Sequence, residues 1–439
     1  MRNGVNKRWT RTTIGEAFIV NPFRPLKKGV TTPFIPMDAL PANERSAERI
    51  ETRAFTGSGS RFKNGDTLIA RITPCLENGK TAYVSCLNDG IIAHGSTEYI
   101  VLGTRRGVTD GLFGYYLSRT PNFRKYTIGH MEGTSGRQRV PANAVENYQI
   151  ELPSLNEQRS IAQILGTLDD KIELNRKTNE TLESMARTLF QAWFVDFEPV
   201  RAKMEGRWKR GQSLPCLPAH LYDLFPDRLV GSDERESPDG WIFGQLSSIC
   251  NLNPESWTKR NRPQSIHYID LSSTKLGRIE QISEYKIDNA PSRAQRILLK
   301  NDTILGTVRP ENCSYALVHD NGLTGSTGFA VLRPKKPIYT EIVYLSATSQ
   351  SNIDRLSALA DGAAYPAVRP EVVLETIIPQ IPDELIIEFS KTTNPLLTSI
   401  AENEKMSRTL SQLRDTLLPR LMSGELRIPD AERIAGEAL

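Results

Sequence analysis

Long apolar segments are missing from this chain of 439 residues. No run approaches the roughly 20 consecutive apolar residues that a membrane-spanning helix needs. The N-terminal sequence MRNGVNKRWTR has no apolar core that could serve as a signal peptide. We therefore expect a cytoplasmic protein that has no membrane partner.

Cysteine and histidine are scarce, with five of each. The cysteines are odd in number, scattered and without metal-ligand spacing, which predicts reduced thiols and excludes a disulfide framework. The histidines lie far apart and form no H-x-x-x-H pair of the kind that binds zinc. We therefore predict no metal site. The cysteines are Cys75, Cys86, Cys216, Cys250 and Cys313.

Catalytic motifs are also missing. The tripeptide Gly79–Thr81 (GKT) is typical of a P-loop, but Pro74 stands where the first glycine should be and has no N–H to offer a phosphate. Residues 55–59 have the F-x-G-x-G spacing of an S-adenosylmethionine site, yet Arg53 and Ser60 beside them indicate a loop. No G-x-S-x-G elbow occurs. The sequence predicts no catalytic residues and no cofactor of the chain's own.

The individual polar residues that stand out in the sequence are best explained as structural or solvent-exposed. His94, beside Gly95 and Ser96, is typical of a turn or a surface position. Asp169 and Asp170 are expected in solvent at the flank of a helix. The formal net charge of +4 and the pI of about 8.7 permit a nucleic-acid partner without requiring one.

The segment from Ser154 to Phe197 carries the strongest periodic pattern. Its seam residues alternate steps of four and three, which is the spacing of a coiled coil. Ser154 and Glu157 form a capping box at the start, and the helix would be roughly 58 Å long at 1.5 Å per residue. Such a helix needs a partner helix. The seam includes Leu168, Ile172, Asn175, Leu182 and Leu189.

A second helix repeats this seam 228 residues later, at Leu396, Ile400, Asn403, Leu410 and Leu417. Two such helices can pack together, with the asparagines selecting one register. Two unrelated amphipathic helices in ordinary domains are the alternative. Pro395 is expected to break or kink the second helix, and Gly424 is a plausible C-terminal stop.

The repeat extends beyond the helices and indicates a tandem duplication. Asp66 and Thr67 match Asp302 and Thr303 at an offset of 236, and Gly133 matches Gly362 at 229. Short alternating runs such as 67–72, 81–84 and 99–102 predict a small mixed sheet with helices in each copy. The fold class is therefore α+β. We predict a globular unit at 1–153, a long helix at 154–198, a connector at 199–240, a second unit at 241–381, a second helix at 382–425 and a frayed tail at 426–439.

Basic and polar loops occur at matching places in both copies. Arg, Gln and Asn can form paired hydrogen bonds with base edges, whereas Lys, Ser and Thr suit phosphates. Ordinary exposed loops are the alternative for any single residue, but the recurrence favours DNA for the set. The candidate DNA-binding residues are Arg71, Thr73, Asn78, Lys80, Arg137, Gln138 and Arg139 in the first copy, and Arg309, Asn312, Tyr365 and Arg369 in the second.

Several strings resemble the specificity (S) subunits of type I restriction–modification enzymes. They are ELPSLNEQRSIAQILGTLDDKIELNRK, LFQAWFVDFEPVRAKMEG, LYDLFPDRLVGS, LRDTLLPRLMSGEL and ITPCLENGKTA. The resemblance implies two pseudo-symmetric α/β target-recognition domains, each reading one half of a bipartite DNA site. It also implies that the two long helices separate these domains and form an antiparallel coiled coil that measures the spacer.

The resemblance further implies the partners. Two modification (M) subunits would bind S-adenosylmethionine and flip the target adenine, and restriction (R) subunits would supply the ATP-driven, magnesium-dependent nuclease. The helices and the segment 199–225 would dock the M subunits. Two rival classes are a stand-alone DNA-modifying enzyme and a coiled-coil scaffold that binds proteins without DNA specificity. Missing catalytic motifs count against the first, and the matching basic loops count against the second.

Overall fold

A computed structural model describes residues 9–134, 136–232, 235–258, 260–363 and 365–438. The chain divides into two compact units. Unit 1 comprises Met1–Lys177 and Asn403–Leu439, and unit 2 comprises Thr178–Glu402. Among the described residues, no helix combines the length and the apolar character needed to cross a membrane.

Two helices of 40 residues each dominate the helical content, and each of them contributes to both units. They are α5 and α10 in chain order. The helices are α1 Ile14–Ala17, α2 Gly111–Arg119, α3 Pro121–Gly129, α4 Ala142–Glu146, α5 Leu155–Phe194, α6 Glu198–Met204, α7 Thr340–Ala347, α8 Gln350–Ala358, α9 Pro370–Leu374, α10 Asp383–Met422 and α11 Ile428–Gly436.

Unit 1 contains two four-stranded sheets and a two-stranded ribbon. The sheets have the strand orders β2-β9-β6-β7 and β4-β3-β8-β5, and the ribbon pairs β1 with β10. The strands are β1 Thr10–Thr13, β2 Phe18–Val20, β3 Thr31–Ile35, β4 Glu51–Ala54, β5 Ser60–Phe62, β6 Thr67–Ala70, β7 Thr81–Tyr83, β8 Ala93–Gly95, β9 Tyr99–Thr104 and β10 Gln149–Leu152.

Unit 2 repeats this topology. Its four-stranded sheets have the orders β14-β23-β20-β21 and β18-β15-β22-β19, and a ribbon pairs β13 with β24. Unit 2 adds two further two-stranded pairs, β11-β12 and β16-β17. The strands are β11 Leu229–Ser232, β12 Arg235–Pro238, β13 Phe243–Gln245, β14 Cys250–Leu252, β15 Ser265–Ile269, β16 Thr274–Lys275, β17 Arg278–Ile279, β18 Ser283–Lys286, β19 Ala294–Leu298, β20 Thr303–Gly306, β21 Tyr315–Leu317, β22 Leu323–Ser326, β23 Phe329–Pro334 and β24 Ile377–Pro379. The equal strand orders confirm the duplication predicted from sequence.

The capping box predicted at the start of α5 is present. The Ser154 backbone N–H donates to Glu157 Oε2 at 3.1 Å, and the Glu157 N–H donates to Ser154 Oγ at 3.4 Å. These two bonds satisfy donors that a helix terminus otherwise leaves without partners. At the far end of α10, Gly424 has a φ of 66° and follows the last helical residue, Met422, as the sequence predicted.

The two long helices pack against each other in opposite directions inside each unit. In unit 1, Asn175 Nδ2 donates to Ser407 Oγ at 3.1 Å and to the Asn403 carbonyl at 3.4 Å. In unit 2, Asn179 Nδ2 donates to the Ile400 carbonyl at 3.3 Å. The predicted seam residues Leu168, Asn175, Leu189, Ile400, Leu410 and Leu417 are buried, and Ile172, Leu182, Leu396 and Asn403 are partly buried.

Of the break or kink predicted at Pro395, the break is wrong, because α10 continues through this residue. A proline removes one helical hydrogen bond, here the bond that the Lys391 carbonyl would accept. Lys391 and Pro395 are both exposed, so water can solvate this carbonyl. Leu397 and Ile400 on the opposite side are buried and hold the helix in place.

The predicted fraying of the chain's last residues is also wrong. Residues 428–436 form α11, and Ala431 and Ala435 are buried in the core of unit 1. Small side chains at a spacing of four residues allow this short helix to lie close to the core. The connector is equally well packed, since Trp208, Leu221 and Phe225 are buried in unit 2.

Asp169 is not in solvent as predicted, because only 5 % of its side chain is exposed. Its Oδ1 accepts a 2.6 Å hydrogen bond from Arg414 Nη1, and its Oδ2 accepts one from Tyr116 Oη, also at 2.6 Å. Burial lowers the pKa of Arg414, but the Asp169 and Asp415 carboxylates outweigh it and raise this pKa. Asp170 is exposed, as predicted, and forms an ion pair with Arg45. A buried three-residue polar cluster thus joins α2, α5 and α10 in unit 1.

Unit 2 contains a similar cluster built from different positions. Tyr344 Oη donates to Glu183 Oε1 at 2.8 Å, and Arg187 Nη2 donates to the same oxygen at 2.6 Å. Arg187 also donates to the carbonyl and the hydroxyl of Thr348, at 3.1 Å each. Here both charged residues lie on α5, whereas in unit 1 one lies on each long helix. Tyr116 and Tyr344 are 228 residues apart and occupy equivalent places on α2 and α7.

Candidate nucleic-acid interface

Two of the predicted DNA-binding loops of unit 1 lie side by side. Ile72 and Arg139 form an isolated antiparallel bridge, and the Thr73 N–H donates to the Gln138 carbonyl at 3.0 Å. The Val140 N–H donates to the Arg71 carbonyl at 2.9 Å. These bonds fasten the loop 71–80 to the loop 133–139, whose residue Ser135 lies outside the described residues. We call the two together the unit 1 loop pair.

Unit 2 has the corresponding unit 2 loop pair, formed by residues 307–312 and 362–369. Val308 and Ala367 form an isolated antiparallel bridge, and the Arg309 N–H donates to the Pro366 carbonyl at 2.7 Å. The Val368 N–H donates to the Thr307 carbonyl at 2.9 Å. Ala364 lies outside the described residues. Both units therefore use the same backbone hydrogen bonds to hold two loops together.

This shared bonding pattern aligns the two loop pairs residue by residue. Thr73 corresponds to Arg309, Gln138 to Pro366 and Arg139 to Ala367. Arg137, which precedes Gln138, then corresponds to Tyr365. At these aligned positions the exposed arginine is Arg137 on the second loop in unit 1, where unit 2 has Tyr365, and Arg309 on the first loop in unit 2, where unit 1 has Thr73. The backbone is alike, and the side chains that it presents are different.

Arg309 and Tyr365 form a stacked pair at the tip of the unit 2 loop pair. The Arg309 guanidinium carbon lies 4.9 Å from the centroid of the Tyr365 ring, which is a cation–π contact. The Tyr365 side chain is 72 % exposed. Arg309 has a φ of 50°, and its position is fixed by the short bond to Pro366. The arginine is therefore oriented before any ligand arrives.

Arg139 differs from the other candidates because a carboxylate already engages it. Its Nε and Nη2 donate to both oxygens of Glu98 at 2.7–3.0 Å, and these hydrogen bonds raise the pKa of Arg139. In unit 2 the residue at the place of Glu98 is Gly328, since the Thr307 N–H donates to Gly328 as the Arg71 N–H donates to Glu98. Ala367 replaces Arg139. Unit 2 thus lacks both partners of this particular ion pair.

The remaining candidates lie within the same loops. Asn78 is exposed, and its N–H donates to the Pro74 carbonyl at 2.9 Å. Lys80 Nζ lies 3.2 Å and 3.4 Å from the carbonyl oxygens of Asp38 and Met37, respectively, which orients this side chain toward residues 37–38. In unit 2, Asn312 and Arg369 are exposed, and Arg369 precedes α9.

One basic residue near the unit 1 loop pair was missed by the sequence analysis. Arg124 on α3 donates through Nη2 to the carbonyl of Glu77, in the middle of the loop 71–80. The basic cluster Arg119, Arg124 and Lys125 on consecutive turns of α2 and α3 is the signal that could have indicated it. Arg124 both supports the loop and adds positive charge beside it.

His94 is buried and is not the turn or surface residue that was predicted. Its ring lies between Phe34 and Phe55, with centroid distances of 4.9 and 5.2 Å. It is part of β8, which is hydrogen-bonded to β3 on one side and to β5 on the other. The residues 55–59 form the predicted loop between β4 and β5. Within the described part of the chain, no group of three or more His, Cys, Asp and Glu side chains is arranged to hold a metal ion.

Known proteins resemble the chain over most of its length. The family model of the type I restriction modification DNA specificity domain matches residues 23–184, which include the unit 1 loop pair and part of α5. The HindI type I restriction enzyme specificity subunit of Haemophilus influenzae is 25 % identical over 411 residues, covering 83 % of this chain and 87 % of that protein. The MjaIX specificity subunit of Methanocaldococcus jannaschii is 24 % identical over 328 residues, covering 72 % and 69 %.

A solved structure has the same fold. The crystal structure of the type I restriction–modification S subunit from M. genitalium matches with a TM-score of 0.50 and 17 % identity, covering 96 % of this chain and 98 % of that one. The fold, the duplicated loop pairs and the curated relatives all agree with the resemblance carried by the sequence strings. Residues 23–184 match the type I restriction modification DNA specificity domain, and the chain resembles type I specificity subunits over most of its length.

Proposed function

We propose that each unit reads one half of a bipartite duplex DNA site through its loop pair. The observation that carries this proposal is the alignment of the loop pairs, in which the same backbone hydrogen bonds present different side chains. A shared scaffold with Thr73 and Arg137 in one copy, and Arg309 and Tyr365 in the other, suits two different half-site sequences. The candidate residues of both loop pairs are the proposed DNA contacts.

The chemistry of the loops suits base readout. An arginine that reaches the major groove can donate two parallel hydrogen bonds to guanine O6 and N7, and each good pair contributes about 1–3 kcal/mol of discrimination. Arg309 has the fixed orientation that such a contact requires. Lys80 in the loop 71–80 and Arg124 beside it suit phosphate oxygens, which position the protein on the duplex without reading sequence. Asn78 in the same loop can hydrogen-bond a base edge.

The long helices are proposed to set the separation of the half-sites. Each helix contributes residues to both units. Under this proposal the length of the helices sets the distance between the two loop pairs. Two readers at a fixed separation select half-sites at a fixed spacing. We propose that α5 and α10 thereby act as the ruler for the unspecified spacer.

The proposed partners follow from the family. A type I system assembles specificity subunits with modification and restriction subunits, and we propose that this chain binds two M subunits and, through the complex, R subunits. S-adenosylmethionine, ATP and magnesium would be held by those partners. The exposed surfaces of the long helices and the segment 199–225 are the proposed docking region for M.

The test of the proposed function is DNA binding by the complex of this chain with its co-expressed M subunits. We expect the logarithm of the binding constant for the motif that the complex methylates to fall linearly with the logarithm of salt concentration, because binding to phosphates releases their counterions. Arg228→Ala is the control, since Arg228 is exposed in the connector and pairs with Asp239. The variant Arg137→Ala with Arg309→Ala should lose preference for the motif. If the complex assembles but binds no duplex DNA, the result would contradict the proposal and favour a protein-binding scaffold.

A further inference from the structure

We propose that Phe23 is an aromatic DNA contact of unit 1 that stacks on a base at the edge of the first half-site, while Arg61, Lys27 and Lys28 bind the adjoining phosphates. The inference rests on the proposed function and extends it to a surface outside the loop pairs. Phe23 is 86 % exposed, the largest exposed fraction among the large hydrophobic side chains of the described residues. Leaving a phenyl ring in water forgoes the free energy of its burial.

Phe23 is held in this exposed position by a fastened loop. Asn21 has a φ of 50°, and its Oδ1 accepts from the Val101 N–H at 3.0 Å. Arg24 Nη2 donates to the two oxygens of Asp66 at 2.5 and 2.6 Å. Burial raises the pKa of Asp66, while the Lys63 N–H and Arg24 oppose this shift. The loop is thus fixed on both sides of Phe23, and the ring is presented to a partner.

Arg61 links Phe23 to the body of the unit. Its guanidinium carbon lies 5.8 Å from the Phe23 centroid and 5.3 Å from the centroid of the buried Phe55. Its Nη1 donates to the Arg24 carbonyl at 2.8 Å. An aromatic ring beside an arginine is the combination that binds a nucleobase by stacking and its phosphate by charge.

The charge around Phe23 favours a polyanion over an apolar protein surface. Lys27 and Lys28 follow in the same loop and are exposed. Lys28 lies over Gly57, at the turn between β4 and β5, where a Cβ added to this glycine would meet the Lys28 Cδ at 3.8 Å. Arg53 stacks on Phe34, with 4.2 Å between its guanidinium carbon and the ring centroid. This surface therefore combines several cations with aromatic rings, as in proteins that hold nucleic acid by charge and by base stacking. In a duplex, such a ring contacts a base where the base step is partly unstacked.

A chain of contacts connects Arg61, the neighbour of Phe23, to the unit 1 loop pair. Ser60, the neighbour of Arg61, donates through Oγ to the Tyr99 carbonyl at 3.0 Å. The residue before Tyr99 is Glu98, which binds Arg139 of the loop pair. The proposal places a duplex that contacts Arg137 so that it also reaches Arg61 and Phe23.

Unit 2 has the same turn without the aromatic ring. Asn253 has a φ of 47°, and its Oδ1 accepts from the Val331 N–H at 3.0 Å, as Asn21 does from Val101. Two residues after Asn253 stands Glu255, which pairs with Arg333. A carboxylate is unsuited to a phosphate or a base stack. The proposed contact therefore belongs to the first half-site alone.

The experiment uses the complex with M subunits and duplexes that carry 2-aminopurine at single positions flanking each half-site. With the unaltered chain, we expect a fluorescence change at one position beside the first half-site, because stacking on Phe23 alters the environment of that base. Phe23→Ala should abolish this change and weaken binding about tenfold, since loss of a base–aromatic stack typically costs about 1–3 kcal/mol. Phe23→Trp should preserve both, and Phe243→Ala, which alters an exposed ring of unit 2, should change neither.

Two results would overturn the inference. One is a Phe23→Ala complex with the DNA affinity and 2-aminopurine fluorescence of the unaltered complex. This result would refute the stacking contact and leave the proposed role of the loop pairs intact. The other is failure of Phe23→Ala to assemble with M, which would make Phe23 a protein contact. Failure of the unaltered complex to prefer its motif would instead refute the proposed function, so the two outcomes are distinct.

Discussion

Single side chains decide what each loop pair presents, and here the duplicated copies diverge most. Thr73 and Arg137 occupy the places of Arg309 and Tyr365 on the same hydrogen-bonded frame. Glu98 and Arg139 form an ion pair in unit 1, and the corresponding residues in unit 2 are Gly328 and Ala367. Both members of that pair change together, as expected because a lone charge would lose its partner.

The first prediction at this scale concerns the two arginines. Arg137→Ala should relax the first half-site and Arg309→Ala the second, by about 10- to 100-fold at the affected base, because each removes a base contact worth about 1–3 kcal/mol. Methylation of duplex libraries with randomised half-sites measures this. Relaxation of the same half-site by both variants would contradict two separate readers.

The second prediction concerns the stacked pair. Tyr365→Ala should relax the same base position as Arg309→Ala, because the guanidinium loses the ring that orients it. Tyr365→Phe retains the ring and should keep the specificity. The double variant should be little worse than either single variant, since both remove one contact. Additive effects at different base positions would assign Tyr365 a contact of its own.

The sequence predicts these residues only as members of loops. The repeated arginine- and glycine-containing segments showed where the loops are in the sequence. The structure shows that these loops lie together in pairs. The partner of Arg139 could not be predicted, because Glu98 is 41 positions away in the chain and no local pattern marks it. His94 was misread for the same reason, since the rings that bury it belong to strands distant in sequence.

At the scale of elements, the long helices show how tertiary contacts override local preference. Periodicity and the capping box predicted α5 almost to its ends. Pro395 argued for a break in α10, but a buried seam on the other side keeps the helix continuous. The last residues lack a long periodic run and were therefore misjudged, although α11 buries two alanines in unit 1.

The third prediction tests the proline. Pro395→Ala should raise the free energy of unfolding by about 1–3 kcal/mol, because alanine restores a helical N–H and removes a steric conflict. Pro382→Ala, just before α10, is the control and should gain nothing, since that position is outside the helix. Urea unfolding followed by circular dichroism gives both values. Equal stability of Pro395→Ala and the unaltered protein would mean that Pro395 does not destabilise α10.

The fourth prediction tests the buried cluster of unit 1. Arg414→Met should lower the stability by about 3–5 kcal/mol, because it leaves the Asp169 carboxylate buried with Tyr116 alone. Adding Asp169→Leu should recover most of this loss. Arg408→Met on the same helix, whose ion pair with Glu404 is 3.9 Å long and partly exposed, should cost under about 1 kcal/mol. A large loss in the control and none in Arg414→Met would refute the role of the cluster.

For the whole molecule, the duplication is the property from which the rest follows. It was visible in the sequence as matched residues whose offset drifts, and the equal strand orders of the two units bear it out. The sequence could not predict that α5 and α10 would each be shared between the units, because periodicity describes one helix at a time. Periodicity also does not give the direction of pairing, which the resemblance implied to be antiparallel and which contacts such as Asn175 with Ser407 show.

The most direct test of the account shortens both helices by one heptad, removing residues 173–179 from α5 and 400–406 from α10, and maps methylated adenines across the genome of cells that also express the M subunit. Seven residues keep the seam in phase and shorten each helix by about 10 Å. At 3.4 Å per base pair this corresponds to about three base pairs. We predict unchanged half-sites separated by a shorter spacer. An unchanged spacer, or altered half-sites with the same spacer, would contradict the account.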